Sequence, residues 1–176
     1  DGPTGVKLRV RRFDPGPMIK PNSTVILVGR RGTGKSTLLA DIACHLGKQN
    51  VIDFVIGMSP TESSTQSMAQ YVPKSMIYPT YREDVVRKLM DTQKRQWDRG
   101  HGYHACLILD DCAYDVSIFK SKTMMELFLN GRHRRITVIL ALQYALILPP
   151  VLRGNTDIVI AARDPIKSCL LYTSPS

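Results

Sequence analysis

Thr24-Val25-Ile26-Leu27-Val28-Gly29-Arg30-Arg31-Gly32-Thr33-Gly34-Lys35-Ser36 is the stretch on which the reading of this chain turns. Its first five residues form an unbroken apolar and β-branched run of the kind buried on both faces of a parallel sheet. Its last eight fit G-x-x-x-x-G-K-[ST], and Leu38, Leu39, Ile42 and Leu46 then recur on one face of a helix starting at Lys35. In this order of strand, loop and helix, successive backbone N–H groups turn inward at a helix N-terminus, where the helix dipole also favours an anion. The expected ligand is ATP, cradled by Gly29, Arg30, Arg31, Gly32, Thr33, Gly34, Lys35, Ser36 and Thr37. Lys35 is expected on the β- and γ-phosphates and the Ser36 hydroxyl on Mg²⁺.

Working outward, Val51–Ile56 reads as a second strand, Ala105–Leu109 as a third, Ile136–Leu142 as a fourth and Asp157–Ala162 as a fifth. Helical patterns at Glu83–Asp98 and Ser117–Leu129 lie between them, the latter stopped by Gly131, and Ser59–Thr65 reads as a mobile loop. Alternating basic and apolar residues at Val6–Phe13 suit a half-exposed edge strand. Strands alternating with helices imply a three-layer α/β/α sandwich with ligands at the carboxyl ends of the strands.

The third strand runs straight into Asp110-Asp111, which is the second half of a hydrolytic site. Asp110 is expected to hold the hydrated Mg²⁺ together with Ser36, and Asp111 to orient or deprotonate the attacking water. Gln143 closes the fourth strand and belongs beside the γ-phosphate, where an amide senses hydrolysis. With the acids on the third strand, the fourth is free to insert beside the P-loop strand. The expected fold is a RecA-like (ASCE) P-loop NTPase with a mainly parallel sheet in core order 5-1-4-3-2. Arg132, in Gly131-Arg132-His133-Arg134-Arg135, is read either as a finger reaching a neighbouring subunit's nucleotide or as part of a solvated or DNA-phosphate-binding basic turn. His101, His104, Cys106 and Cys112 match no standard zinc spacing. Trp97, Tyr71 and Tyr78 suit base stacking and core packing equally.

Composition bounds the partners. The 176 residues carry a net charge of +9 with 43% hydrophobic content, enough for one core, and the charge suits either a polyanionic partner such as nucleic acid or simple solubility. Four irregularly spaced cysteines suit a reducing, intracellular compartment, and no apolar run reaches the roughly 20 residues that span a bilayer. The chain opens without Met and reads as a fragment: residues 1–21 as an edge strand and turn, 22–167 as the ATPase domain. Residues 168–176 resemble a translated sequencing adapter, so this tail, with Cys169, is set aside.

Asp110-Asp111-Cys112, Asn130-Gly131-Arg132-His133, Gln143-Tyr144 and Leu148-Pro149-Pro150-Val151-Leu152-Arg153-Gly154-Asn155 carry a resemblance. From about Thr24 to Asp164 the chain resembles the genome-packaging ATPases of large nucleocytoplasmic DNA viruses, in the HerA/FtsK translocase superfamily. The resemblance implies Lys35, Ser36, Asp110 and Asp111 as the hydrolytic centre, Gln143 as sensor and Arg132 as a trans-acting finger; Arg153 would face DNA or a neighbour. The superfamily more often has Glu where Asp111 stands. It further implies a homo-oligomeric, usually hexameric, ring that moves double-stranded DNA into a capsid at the viral assembly site in host cytoplasm or virion. Capsid or inner-membrane viral proteins would be its docking partners. Two other functions fit the motifs: another RecA-like DNA motor, such as a plasmid-mobilisation pump or helicase, and a nucleotide-binding scaffold without turnover.

Overall fold

A computed structural model describes residues 13–49 and 51–162. Its elements are α1 (Pro15–Met18), β1 (Thr24–Val28), α2 (Lys35–Lys48), β2 (Phe54–Met58), α3 (Glu62–Met68) and β3 (Ile77–Tyr78). They continue with α4 (Glu83–Asp98), β4 (Ala105–Asp110), α5 (Lys122–Asn130), β5 (Ile136–Leu142), α6 (Pro150–Gly154) and β6 (Ile158–Ala161). The strands form one sheet in the order β3-β2-β4-β5-β1-β6, every pair parallel.

Two apolar layers explain why this sheet forms. Every residue of β1, β4 and β5 is buried, as expected of strands covered on both faces. Ile26, Leu107, Leu109, Val138 and Leu140 point to one face and pack with Val86, Leu89 and Met90 of α4 and Met124, Leu127 and Phe128 of α5. Their neighbours Val25, Leu27, Cys106, Ile108 and Ile139 point to the other and pack with Leu39, Ile42 and Leu46 of α2. The period-two alternation thus divides each strand between two helical layers, giving the α/β/α sandwich of a P-loop NTPase.

The five expected core strands stand in the expected order, and β3 is an additional edge strand beyond β2. Two residues are too few to show a periodicity, which is why Ile77–Tyr78 was not legible in the sequence. The second strand starts later than expected, at Phe54. Val51 N donates to Leu46 O and closes the turn out of α2, so the apolar run Val51-Ile52 serves that turn and not the ladder. The expected loop Ser59–Thr65 is also corrected, because Glu62–Met68 is helical and buries Ser64 and Met68. The helix expected from Ser117 is divided: Val116–Lys120 is a 3₁₀ turn, and Ser121 restarts the chain as the N-cap of α5, its hydroxyl accepting from Met124 N at 3.1 Å. Helix α5 ends at Asn130 with Gly131 as its C-cap. The residues of the expected strand Val6–Phe13 other than Phe13, and the tail 168–176, lie outside the described residues.

Candidate nucleotide site

The loop after β1 is shaped by its glycines. Gly32 and Gly34 have φ of 79° and 85°, and Gly34 is the N-cap of α2 in the left-handed region, where a side chain is strained. Gly29 is needed for a different reason: a Cβ there would lie 2.7 Å from both Ala162 Cβ and Thr33 Oγ1. Gly29 N donates to Leu142 O at 3.0 Å, which joins the loop to the end of β5. Inside the loop, Thr33 Oγ1 donates to Arg30 O at 2.7 Å, and Lys35 Nζ donates to the carbonyls of Gly29 and Arg30. The Lys35 ammonium is therefore held over the loop by backbone oxygens.

Asp110 ends β4, only 4% exposed. Burial raises its pKa above the usual carboxylate range; a hydrogen bond from Ser64 and the charge of Lys35 oppose the rise, and the charge of Asp111 adds to it. Asp111 follows in the left-handed region at φ 57°, a conformation in which Asp is among the more tolerant side chains. Asp111 N donates to Ala141 O at 3.2 Å, and Gln143 Nε2 donates to Asp111 Oδ1 at 3.3 Å. Parallel pairing of Asp110 with Ala141 sets the acids on β4 level with the end of β5.

A cleft of about 420 Å³ unites these parts, lined by Arg31, Gly32, Gly34, Lys35, Ser36 and Thr37 on one side and Asp110 and Asp111 at its floor. Gly29, Arg30 and Thr33 build the loop from behind, and Gln143 reaches the cleft through Asp111. The remaining wall is Thr61, Ser63 and Ser64, at the start of α3. By residue type alone these hydroxyl side chains suit a loop. Their signal was position: a Ser/Thr run following β2, the strand that pairs with β4, must emerge at the carboxyl edge beside Asp110.

Arg132 lies elsewhere. It pairs with Asp157, whose other carboxylate oxygen accepts from Thr24 N at 2.8 Å, at the amino end of β1. The amino ends of the strands are opposite the cleft, so within one chain Arg132 does not meet Lys35 or Asp110. The zinc-like residues are also separated by function: Cys106 is buried inside β4 with its thiol pushed up to about 12 by desolvation, and His104 Nδ1 lies 3.0 Å from Asn22 Oδ1. Among the described residues no cluster of three or more His, Cys, Asp or Glu is placed to hold a metal ion. No described helix is long and apolar enough to cross a membrane.

A family model described as an AAA domain matches residues 19–147. Uncharacterized protein 075L of Invertebrate iridescent virus 6 is 36% identical over 143 residues, covering 81% of this chain and 55% of that protein. The chain thus spans little more than half the length of this relative. Among solved structures, the DNA-packaging ATPase B204 of Sulfolobus turreted icosahedral virus superposes with a TM-score of 0.61 at 21% identity, covering 86% of this chain and 80% of B204. The genome packaging NTPase B204 of Sulfolobus turreted icosahedral virus 2 in complex with AMPPCP gives a TM-score of 0.56 at 25% identity, covering 83% of this chain and 78% of that one.

Proposed function

The chain belongs to the AAA domain family, and from that premise we propose that it is an ATP-hydrolysing translocase that packages double-stranded viral DNA into capsids. The observation that carries the reading is the convergence of Lys35, Ser36, Asp110 and Asp111 on one cleft, with Gln143 bonded to Asp111. A phosphate-binding module without turnover would need the loop but not a second carboxylate held by an amide.

Lys35 leaves its loop carbonyls to engage the β- and γ-phosphates, while the N–H groups of the loop surround the phosphate oxygens. Ser36 and Asp110 supply the hard oxygen donors that Mg²⁺ prefers, and both border the cleft. When bound, the ion would supply positive charge to offset that of the phosphates. Asp111 orients the attacking water and accepts its proton, and Gln143 fixes the carboxylate that does so. Arg132 acts on a neighbouring copy's nucleotide in a homo-oligomeric ring of the HerA/FtsK kind, with residues 22–167 as the ATPase unit. Packaging is supported by the resemblance at Asn130–Asn155 and by the likeness to the B204 packaging NTPases.

The test is the steady-state ATPase rate with and without duplex DNA. Packaging predicts Mg²⁺-dependent hydrolysis that duplex stimulates. Tight ATP binding with no turnover under either condition would replace the motor with a scaffold, and stimulation by single strands alone would favour a helicase.

A further inference from the structure

The end of the molecule opposite the cleft carries a second organised surface. Helix α4 finishes there with Lys94, Arg95 and Asp98 exposed, and Arg99 follows, also exposed. Trp97 and Tyr103 stand beside them, 53% and 55% exposed. Among the described residues, none of Lys94, Arg95 and Arg99 forms an ion pair with a carboxylate.

This surface is built and braced. Arg135 adopts φ 55° in the turn before β5, a left-handed backbone unusual for Arg. Its guanidinium lies 4.7 Å from the centre of the Trp97 ring and donates to Gly102 O at 2.9 Å. Beneath it, Gln93 is 3% exposed, and its amide donates to Tyr103 O at 2.7 Å and Arg134 O at 3.1 Å. One buried side chain therefore fixes helix α4, the turn before β4 and the turn before β5 relative to each other.

We propose that Lys94, Arg95, Arg99 and Arg135, braced by Gln93 and Trp97, form a docking face for the phosphate backbone of duplex DNA. The inference rests on the DNA reading above and locates the contact. Charge complementarity identifies the partner: Lys94, Arg95, Arg99 and Arg135 outnumber the acids around them, Asp91 and Asp98 of α4 and Asp53 before β2, and phosphate contacts need cations but no base-reading groups. Trp97 has one face covered by Arg135, and duplex bases are already stacked, so the indole serves to orient the guanidinium. DNA held here leaves the cleft open, because the six residues of β4 separate the two ends of the sheet by about 17–20 Å.

The experiment measures anisotropy of a labelled duplex over a series of KCl concentrations, using the full-length protein. Lys94→Ala/Arg95→Ala/Arg99→Ala should bind at least about tenfold more weakly at a given salt, and its log–log salt slope should shrink by roughly 2.7, about 0.9 per lost phosphate contact. Lys20→Ala/Lys48→Ala/Lys74→Ala, at exposed positions beside Ile19, Leu46 and Val72 in the layer on the other face of the sheet from α4, should keep the wild-type slope, and both variants should bind ATP normally. Trp97 is the single tryptophan, so its emission in the wild type should change on adding duplex. Equal affinity and slope in the triple variant, with unchanged Trp97 emission, would overturn this face while leaving DNA binding intact. Absence of duplex binding by the wild type would remove both this face and the packaging reading. A larger effect of the triple substitution on single strands than on duplex would overturn the choice of partner.

Discussion

Gln143 Nε2 donates to Asp111 Oδ1 at 3.3 Å, joining the ends of the adjacent strands β5 and β4. The bond crosses 32 positions of sequence and acts on a carboxylate whose backbone is already left-handed, at φ 57°. Two constraints thus aim the same group, one through the main chain and one through a side chain. If Asp111 orients water, Gln143→Ala should lower kcat by about 10–100-fold and leave the KM for ATP nearly unchanged. Steady-state kinetics decide it, and an unaltered kcat would remove Gln143 from the hydrolytic step.

Asp111→Asn separates chemistry from folding. Asn tolerates the left-handed region as Asp does, so the fold should persist while the proton acceptor is lost. Turnover should fall by about 100-fold or more, with ATP binding preserved in a calorimetric titration. Wild-type turnover would exclude Asp111 as the base.

Asp110 carries a stability cost. Its folded pKa is raised above the unfolded value, chiefly by burial, so at pH above both values the charged form destabilises the fold, and the cost is relieved as pH falls through the folded pKa. Asp110→Asn should therefore raise Tm at neutral pH, by less at acid pH, while abolishing Mg²⁺-dependent hydrolysis. A lower Tm across the whole pH range would refute the burial argument.

The loop glycines should differ in kind. Gly29→Ala brings a methyl to 2.7 Å from two side-chain atoms, an overpacking that costs about 1–3 kcal/mol. Gly32→Ala meets nothing within 4 Å but keeps φ of 79°, a backbone strain of about 1–2 kcal/mol. Urea denaturation should rank Gly29→Ala as at least equally destabilised, and loss of Lys35 by Lys35→Ala should abolish turnover without a comparable shift.

Arg132 and Asp157 should prove unequal. The pair is partly exposed, 63% and 25% at the side chains, so Arg132→Ala should cost no more than about 1 kcal/mol. Asp157→Ala also removes the acceptor for Thr24 N and should cost more. Mixing Arg132→Ala with Asp111→Asn subunits should restore part of the ATPase rate if Arg132 acts between copies. Complete absence of complementation would assign Arg132 to the Asp157 contact alone.

The nucleotide loop, the strand leading into it and the acid pair were legible in the sequence because each is set by neighbours along the chain. The β-branched run dictates a buried strand, glycines permit the positive φ values that L side chains resist, and a strand ending in Asp110-Asp111 delivers both carboxylates to one edge. The five core strands even fell into their correct order, since the acid pair marks β4 and leaves β5 to lie between it and β1. Strand β3 and helix α3 were not legible: a two-residue strand and a seven-residue helix draw their stability from β2 and the core beneath them, not from local pattern. What only the tertiary structure decided is which distant residues meet. Packing set Thr61, Ser63 and Ser64 opposite the loop, brought Gln143 to Asp111, and carried Arg132 to Asp157 at the far end of the sheet. Such meetings depend on strand register and crossover paths, which the whole core fixes at once, whereas the loop Gly29–Ser36 needs only its own backbone and the strand and helix that flank it.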